Sequence, residues 1–318
     1  MNIFYNIEDV PFQKESVLTI GTFDGVHLGH KQIISKLLSD AKEKSLRSLV
    51  ITFEPHPQVV IQRADKPEVY LINSLKERLE LFEKNGIENI LIIDFTSEFS
   101  KIEAEDFIKD YLYKIGFQKI ILGYDHTFGR DRQGSIDTLK KFAEKDNFEI
   151  EQIGPYKHDD KIISSTVIRK LLQASKISEA NEMLGYKFFV KGKVQFGRGM
   201  GAQIGFPTAN IKPAISHKLL PGFGVYIVES MIDGKLHYGI ANIGLRPTMT
   251  NDIKPTLEVH YLDFDKDLYD EVIKVCFIQF IRPEIKFDSS EELAHQIRKD
   301  EKQAKRFIKH LKEDNQEL

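Results

Sequence analysis

The first half of the chain alternates between two hydrophobic periods. Short apolar runs rich in β-branched residues predict buried strands, and these runs are VLTIG, SLVITF, NILIIDF, KIILGYD and EIEQIG. Apolar residues three and four positions apart predict the helices between them, in HKQIISKLLSDAKEKS, NSLKERLELFEKNG, AEDFIKDYLYKIG and SIDTLKKFAEKDN. Ser74 and Glu77 have the spacing of a helix capping box. Strands that alternate with helices predict a doubly wound parallel sheet covered on both faces.

After Tyr186 the hydrophobic period changes to two. Five segments alternate in this way, namely KFFVKGKVQF, GVYIVESMI, KLHYGIANI, TLEVHYL and VIKVCFIQF. Asp233-Gly234 between two of them predicts a type I′ hairpin turn. Short antiparallel strands of this kind predict a small closed barrel, and the amphipathic run after Ser289 predicts a terminal helix with a second capping box to Glu292. We therefore predict an α/β domain over residues 1–185 and a β-barrel domain with a terminal helix over residues 186–318.

Composition narrows the class of protein. The chain has 41% hydrophobic and 29% charged residues, the composition of an ordinary globular protein. Its formal charge of −3 gives no electrostatic reason to expect a nucleic-acid partner. Cys276 is the only cysteine of the 318 residues, which excludes an intramolecular disulfide and a thiolate metal cluster. The N-terminus has no basic-then-apolar signal, and no apolar run approaches the roughly 18 residues that span a bilayer. We expect a cytoplasmic protein without a membrane partner; the sequence leaves self-association open.

The segment GTFDGVHLGH, residues 21–30, carries the first candidate chemistry. It places two histidines where a predicted strand gives way to a helix, and a helix N-terminus suits an anion such as phosphate. His27 and His30 could donate hydrogen bonds to the oxygens of a phosphorus centre under attack, or they could simply cap the helix as a satisfied pair. The segments 52–57 and 123–134 also follow predicted strands, so all three loops should meet at one edge of the sheet. ISSTVIRKLL, residues 163–172, offers hydroxyls and an arginine at another helix start.

These motifs, GTFDGVHLGH, TFEPHP, GYDHTFG and SSTVIR, resemble the FMN adenylyltransferase module of the bifunctional prokaryotic riboflavin kinase/FAD synthetase family, one of the HxGH nucleotidylyltransferases. The resemblance covers about residues 15–185 and implies transfer of AMP from ATP to FMN, which forms FAD and pyrophosphate. It implies that His27 and His30 are catalytic. His126 stands where the family usually has phenylalanine. The resemblance implies flavin contacts at His56, Asp125 and Phe128, and nucleotide contacts at Gly21, Phe23, Asp24, Gly25, His27, Gly29, His30, Ser164, Ser165, Thr166 and Arg169.

The second candidate site begins with GRGMGAQIGFPTAN, residues 197–210. It lacks the Gly-Lys-Ser/Thr ending of a Walker A loop, and its glycines alone favour barrel turns or bulges over a phosphate-binding loop. The oxygens of Thr208 and Asn210 are hard ligands suited to Mg²⁺. Glu258 shares a strand face with Thr256 and His260 by alternation. Its carboxylate could point into solvent, or it could act as a general base in the barrel.

GFPTAN, NIGLRPT and LEVHYLDFDKDLY resemble the riboflavin kinase module of the same family, from residue 186 to about residue 300. The resemblance implies that Thr208 and Asn210 bind Mg²⁺ and nucleotide phosphates, and that Glu258 activates the riboflavin hydroxyl. Two residues depart from the family pattern, Ala202 in the glycine-rich loop and Asp270 in place of glycine. Arg282 is a candidate for the flavin pocket, with a surface arginine as the alternative. The implied nucleotide contacts of this module are Gly197, Gly199, Gly201, Gly205, Pro207, Thr208 and Asn210.

Together, these resemblances imply a bifunctional enzyme that phosphorylates riboflavin to FMN with ATP and Mg²⁺ and then adenylylates FMN to FAD. One alternative is a single-activity FAD synthetase whose barrel binds flavin without turnover. The other is a flavin- or nucleotide-binding regulator that retains both pockets but catalyses nothing.

Overall fold

The computed structural model describes residues 1–61, 68–197, 200–247 and 253–314. The chain divides into two compact units, Met1–Ser165 and Thr166–Leu318. The segment between 166 and 185 therefore groups with the second unit, whereas the sequence pattern placed the boundary near residue 185. That boundary stays a prediction, which two fragments described below would test. Among the described residues, no helix combines the length and the apolar character needed to cross a bilayer.

The first unit contains a six-stranded parallel sheet, which confirms the predicted α/β class. All five residues of its second strand and the six central residues of its third are buried, as both faces of the sheet are covered. Each predicted apolar run lies in a strand, and the short first strand was not predicted. The strands are β1 (Asn2–Phe4), β2 (Ser16–Ile20), β3 (Arg47–Glu54), β4 (Asn89–Asp94), β5 (Lys119–Gly123) and β6 (Glu149–Ile153).

Helices connect these strands where the sequence predicted them. The capping box at Ser74 is confirmed, because the Ser74 Oγ accepts from the Glu77 N–H and the Glu77 carboxylate accepts from the Ser74 N–H. A π-helical turn, Ile108–Leu112, interrupts the helix predicted after residue 103. The helices are α1 (Leu28–Glu43), α2 (Pro57–Val60), α3 (Leu75–Lys84), α4 (Ala104–Phe107), α5 (Tyr113–Ile115) and α6 (Ile136–Asp146), and a small hairpin of β7 (Lys157–His158) and β8 (Lys161–Ile162) follows β6.

The order of the strands decides where a ligand can bind. The sheet runs β1-β4-β3-β2-β5-β6, so the chain winds in one direction from β2 and in the other from β5. Ligands of open α/β sheets bind at such a switch point, beyond the carboxyl ends of the strands. The loop after β2, residues 21–27, and the loop after β5, residues 124–129, lie on the two sides of it. Both loops carry motifs that the sequence analysis selected.

An ion network lies beside the sheet, away from the carboxyl ends of the strands where the candidate loops meet. Asp40 of α1 is only 3% exposed, and its carboxylate lies 2.5 Å from the ammonium of Lys119 and 2.6 Å from that of Lys36. Lys119 also contacts Glu151 at 2.5 Å. Burial acts to raise the pKa of Asp40, but the hydrogen bonds from the two lysines lower the pKa overall.

Asp40→Asn should lower the free energy of unfolding of the first unit by about 2 kcal/mol, because the buried Lys119 then loses one of its two close carboxylate partners. The folded pKa of Asp40 is depressed, so its contribution is present above the unfolded value of about 3.9 and is lost as the pH falls through the folded value. The free energy of unfolding of the wild type and of Asp40→Asn, measured with a denaturant at pH 7 and at pH 3, tests this expectation. The cost of the substitution should be smaller at pH 3, and an equal cost at both would contradict the ionic account.

The second unit is built on a closed six-stranded antiparallel barrel, as predicted. Its strands are hydrogen-bonded in the order β10-β13-β12-β11-β14-β9. Asp233 and Gly234 form a two-residue turn with φ of +49° and +74°, which confirms the predicted type I′ hairpin. The strands are β9 (Phe189–Gln195), β10 (Ala209–Pro213), β11 (Gly224–Ile232), β12 (Lys235–Pro247), β13 (Ile253–Tyr261) and β14 (Val272–Arg282), and the helices are α7 (Ser165–Gln173), α8 (Ile177–Leu184), α9 (Met200–Gln203) and α10 (Ser290–Asp314).

The terminal helix begins as the sequence predicted, with a modified cap. Ser289 Oγ accepts from the Glu292 N–H at 3.2 Å, whereas the Glu292 carboxylate accepts from the N–H of Asp288 at 3.3 Å. Asp300 of this helix is buried and binds the Arg282 guanidinium at the end of β14, with contacts of 2.7 to 3.0 Å. This ion pair fastens α10 to the barrel.

Candidate active sites

A cavity of about 1150 Å³ opens in the first unit, lined by the loops after β2, β3 and β5. Two groups among its lining residues bear on the chemistry of a ligand. The first is a mainly polar group, with one glycine, around the start of α1. The second is an aromatic cluster, whose rings contact one another at centroid distances of 5.4 to 6.1 Å. The polar group consists of Thr22, His27, Gly29, His30, Ser164 and Ser165, and the aromatic cluster consists of Phe53, Phe95, Phe99, Phe107 and Phe128.

His27 is the N-cap of α1 and also lines the cavity. Its Nδ1 accepts a hydrogen bond from the His30 backbone N–H at 3.3 Å, and the two imidazole rings stack with centroids 3.6 Å apart. A neutral ring that accepts at Nδ1 carries its proton on Nε2, which is then a donor. The capping interpretation and the functional interpretation are therefore compatible, because the cap uses one of the two ring nitrogens. A Cβ on Gly29 would lie 3.3 Å from the His27 ring, so glycine leaves the room that the ring needs.

His30 is held neutral by its surroundings. Burial is the main cause that lowers the pKa of His30 well below its usual value, and the nearby side chains of His27 and Arg78 act in the same direction. The Nδ1 atom of His30 is buried and has no hydrogen-bond partner among the described residues. A buried nitrogen without a partner is an exception among the polar groups of folded proteins. The two histidines together can present neutral hydrogen-bonding groups beside a helix N-terminus.

The loop between β2 and α1 is strained and firmly anchored. Phe23 and Val26 are buried with φ of +50° and +36°, a region that side chains, and β-branched ones above all, rarely adopt. Gly25, with φ of +89°, takes the same region at no such cost. Asp24 is buried and accepts from the N–H groups of residues 72 and 73 at 3.0 and 2.9 Å. Its carboxylate therefore binds the protein's own backbone, which positions the loop.

The helix start at residues 163–172 is divided between the two units. Ser164 and Ser165 line the cavity, and the Ser165 Oγ donates to the Asp24 carbonyl at 2.8 Å. Thr166 and Arg169 follow in α7 and belong to the second unit. The nucleotide contacts predicted for these four residues remain predictions.

Arg78 is a functional candidate that the sequence analysis missed. The arginine is only 1% exposed and lies on α3. Its guanidinium donates to the Thr22 carbonyl at 2.7 Å, the Thr52 Oγ1 at 3.0 Å, the Phe53 carbonyl at 3.2 Å and the Glu54 carboxylate at 2.5 Å. One side chain thus joins the loop after β2 to the end of β3. Helical periodicity places Arg78 on a helix, but it does not reveal partners more than 20 residues away.

Arg78→Met should lower the rate of the reaction in this cavity by about 10- to 100-fold, because the loop that carries His27 loses its anchor. It should also lower the free energy of unfolding of the first unit by about 2 to 4 kcal/mol, because the buried Phe53 carbonyl and the Glu54 carboxylate lose the guanidinium as a donor. Steady-state kinetics of both reactions, with chemical unfolding, test this, and kinase turnover in the same sample is the control. A wild-type adenylylation rate would show that the loop holds its position without Arg78.

Of the three residues predicted to contact flavin in the first unit, two line the cavity and one does not. Asp125 and Phe128 line the cavity. His56 is buried and caps α2, where its Nδ1 accepts from the Gln58 N–H at 3.1 Å, and it is outside the described lining. Arg282 belongs to the barrel unit, where Asp300 and the Pro283 carbonyl accept its hydrogen bonds. The flavin contacts predicted for these four residues stay predictions.

In the barrel unit, Thr208, Asn210 and Glu258 come together. Asn210 of β10 lies directly opposite Glu258 of β13, and the Thr208 Oγ1 donates to the Glu258 carboxylate at 3.4 Å. The neighbours Leu257 and Val259 are buried, whereas Glu258 is half-buried on the opposite face, as alternation predicted. The carboxylate is therefore neither in the barrel core nor freely solvated.

The glycine-rich loop approaches this cluster closely. A Cβ on Gly197 would lie 2.2 Å from the Asn210 amide nitrogen, so any larger residue there would displace the Asn210 side chain. Gly201 lies in α9, Gly205 adopts a φ of +87°, and Gly199 falls outside the described residues. His260 contacts the Pro207 carbonyl at 2.8 Å through Nδ1, which positions the start of the Pro-Thr-Ala-Asn segment.

The three departures from the family pattern are accommodated locally. Asp270 has a φ of +70°, a conformation that favours glycine but that aspartate tolerates, and its carboxylate lies 2.6 Å from the Lys193 ammonium. Ala202 is exposed on α9. His126 lines the cavity of the first unit, with its ring against Phe128.

Comparison with known proteins identifies the two halves of the chain. An FAD synthetase family model matches residues 9–167, and a riboflavin kinase family model matches residues 184–308. The bifunctional riboflavin kinase/FMN adenylyltransferase of Listeria monocytogenes is 36% identical over 297 residues, which cover 93% of this chain and 94% of that protein. The Escherichia coli K12 protein of the same name is 36% identical over 306 residues, which cover 96% of each chain.

A solved structure also resembles the chain over nearly its whole length. It is the crystal structure of a protein from Streptococcus pneumoniae named as a macrolide-efflux protein, and it matches with a TM-score of 0.85 and 29% identity over 95% of this chain and 98% of that one. The efflux activity in that name is a statement about the Streptococcus protein alone. The two family models and the relatives of matching length name both flavin reactions. The chain therefore belongs to the bifunctional riboflavin kinase/FMN adenylyltransferase family.

Proposed function

We propose that the cavity of the first unit is the adenylyltransferase site and that the cluster of Thr208, Asn210 and Glu258 is the kinase site. The observation that supports the first assignment is the stacked pair of His27 and His30 at the start of α1, beside an aromatic cluster in one cavity. The polar group suits the phosphates of ATP, and the aromatic cluster suits the isoalloxazine ring of FMN. Each half of the cavity then has a substrate of matching chemistry.

In the adenylyltransferase site, the FMN phosphate attacks the α-phosphorus of ATP, and pyrophosphate leaves. A phosphate monoester is already ionised at neutral pH, so this nucleophile needs no general base. The protein's task is to stabilise the charge that gathers on the phosphates. His27 donates from Nε2, and the neutral ring of His30 stacks against it in the cavity wall. The N-terminus of α1 adds its partial positive charge.

The kinase site has a different requirement, because the riboflavin 5′-hydroxyl must lose a proton as it attacks the γ-phosphorus. Glu258 is the base in our proposal, and the Thr208 hydroxyl orients its carboxylate. The hydroxyl of Thr208 and the amide oxygen of Asn210 are hard oxygen donors that fit Mg²⁺. Bound there, Mg²⁺ would neutralise charge on the phosphates of ATP. Phosphate oxygens and water would complete its coordination, since two protein donors leave positions open.

Incubation of the protein with riboflavin, ATP and Mg²⁺, followed by chromatographic separation of the flavins, tests both assignments. We expect FMN to appear first and FAD to follow. FAD formed only from added FMN would support the alternative with a non-catalytic barrel, and no product from either flavin would support the regulator. Removal of Mg²⁺ with a chelator should abolish FMN formation, and undiminished FMN formation would contradict the metal proposal.

The domain boundary can be tested with two fragments, residues 166–318 and residues 186–318. Asn181 of α8 donates to the Phe277 carbonyl at 3.0 Å and accepts from the Phe188 N–H at 2.6 Å, so the longer fragment keeps contacts that the shorter one loses. We expect both to make FMN from riboflavin and the longer one to have the higher melting temperature. A folded fragment 166–318 without kinase activity would contradict a self-contained kinase site.

Three further expectations remain proposals. We expect a cytoplasmic location, because ATP is a substrate and the chain has a single cysteine. We expect no nucleic-acid partner, because the formal charge is −3. Self-association is open, and measurement of the molar mass in solution would decide it.

A further inference from the structure

The terminal helix α10 contacts the segment that carries Thr208. Phe206, two residues before Thr208, is buried and packs its ring edge to face against the His260 imidazole, with centroids 5.4 Å apart. The Arg298 guanidinium of α10 lies 5.9 Å from the centroid of the same phenyl ring, within the range of a cation–π contact. Phe206 therefore contacts both β13, through His260, and α10, through Arg298.

His260 joins the same segment to α10 through its two ring nitrogens. Nδ1 lies 2.8 Å from the Pro207 carbonyl oxygen, and Nε2 lies 3.4 Å from the Glu301 carboxylate. Both oxygens are acceptors, so the cationic imidazole, which donates from both nitrogens, satisfies the two contacts together. The side chains of His260 and Glu301 are 13% and 25% exposed, and this partial shielding strengthens the contact relative to a fully exposed pair.

These contacts form a continuous path from α10 to the proposed kinase site. Glu301 contacts His260, and His260 contacts the carbonyl of Pro207. The carbon of that carbonyl is bonded to the backbone nitrogen of Thr208, whose Oγ1 donates to the Glu258 carboxylate at 3.4 Å. His260 follows Glu258 by two residues on β13, so the two side chains share a face of the strand. A change at Glu301 is therefore transmitted to Thr208.

We propose that Glu301 and His260 are positioning residues of the kinase reaction, through which the terminal helix holds Thr208 beside the proposed base. This proposal rests on the assignment of the kinase site in the barrel unit. A separate ion pair, between Arg282 and the buried Asp300, fastens α10 to the barrel. Removal of the Glu301 carboxylate should therefore leave the helix in place and change only the contact with His260.

Glu301→Ala should lower the kcat of riboflavin phosphorylation about tenfold, because Thr208 is then less well placed beside the proposed base. The KM for Mg·ATP should rise by about three- to tenfold, because Thr208 is also a proposed ligand of Mg²⁺. Glu301→Gln keeps an oxygen that accepts from Nε2 of His260, so its kcat should stay within about threefold of the wild type. Steady-state kinetics measure these values, and adenylylation of supplied FMN should be unchanged in both variants.

Lys305→Ala is the matched control, because it removes a different ion pair of α10, the 2.8 Å contact with Asp263, and leaves His260 untouched. Its kinase rate should remain at the wild-type level. A double variant shows whether Glu301 acts through the imidazole. His260→Ala should also slow the kinase about tenfold, and the addition of Glu301→Ala should cause no further loss, whereas two independent structural effects would add.

Three results would each overturn the proposal, namely an unchanged kcat in Glu301→Ala, equal slowing by Lys305→Ala, and additive losses in the double variant. FMN formation by the wild type would leave the proposed function intact in all three cases. No FMN formation by the wild type would overturn the kinase assignment itself. If His260→Ala does not accumulate as folded protein, the contrast between Glu301→Ala and the two variants Glu301→Gln and Lys305→Ala decides alone.

Discussion

Glu258→Gln should lower the rate of riboflavin phosphorylation by about 10²- to 10⁴-fold, the usual cost of losing a general base. The amide has the size and polarity of the carboxylate but cannot take the proton of the 5′-hydroxyl. Riboflavin affinity should survive, because the amide can still hydrogen-bond that hydroxyl. FAD formation from supplied FMN should also survive, because that reaction belongs to the first unit. Kinase turnover and riboflavin binding, measured at the same Mg²⁺ concentration, test both statements.

Glu229→Gln provides the matched control for this experiment. Glu229 lies on β11 of the same barrel, where its carboxylate contacts the Lys187 ammonium at 2.6 Å. The same chemical change there removes an ion pair without touching the cluster of Thr208, Asn210 and Glu258, and kinase turnover should stay at the wild-type level. Equal turnover in Glu258→Gln and Glu229→Gln would remove Glu258 as the base and return it to the role of a solvent-facing strand residue.

The periodic parts of the fold could be predicted from the sequence because their signals are local. Apolar runs, helical spacing and the Asp233-Gly234 turn each depend on a few neighbouring residues, and the structure has the parallel sheet, the barrel and the hairpin that they predicted. The strand β10 was missed because Asn210 and Pro213 disfavour strands, and it forms through its partners β9 and β13. The π-helical turn was missed because the spacing of apolar residues does not distinguish it from an α-helical turn.

The site could be predicted only as a set of motifs. From the residues alone, solvent exposure of Glu258 was favoured over catalysis, because alternation assigns a side chain to one face of a strand without showing what covers that face. The contact with Thr208 comes from a residue 50 positions away along the chain, so it depends on barrel closure. Arg78 was invisible for the same reason, since its acceptors lie on two other segments. The roles of these residues emerge from tertiary contacts that no local pattern encodes.

His27→Asn should lower FAD formation from FMN by about 10²- to 10³-fold, the usual cost of one hydrogen-bond donor to a developing charge. Asparagine is chosen because His27 has two tasks. Its Nδ1 accepts the His30 N–H at the start of α1, and asparagine, a strong N-cap, preserves that interaction. The substitution therefore removes the imidazole Nε2 donor while the helix keeps its cap.

His27→Ala separates the two tasks of the residue in the same assay. Alanine loses the cap as well as the donor, so it should match asparagine in the loss of adenylylation but unfold about 1 kcal/mol more easily. FMN formation from riboflavin should remain near the wild-type level in both variants, since the kinase site lies in the other unit. If either variant suppressed FMN formation as strongly as FAD formation, the assignment of His27 to a separate adenylyltransferase site would fail. A near-normal rate in His27→Asn with a slow His27→Ala would instead reduce His27 to a helix cap.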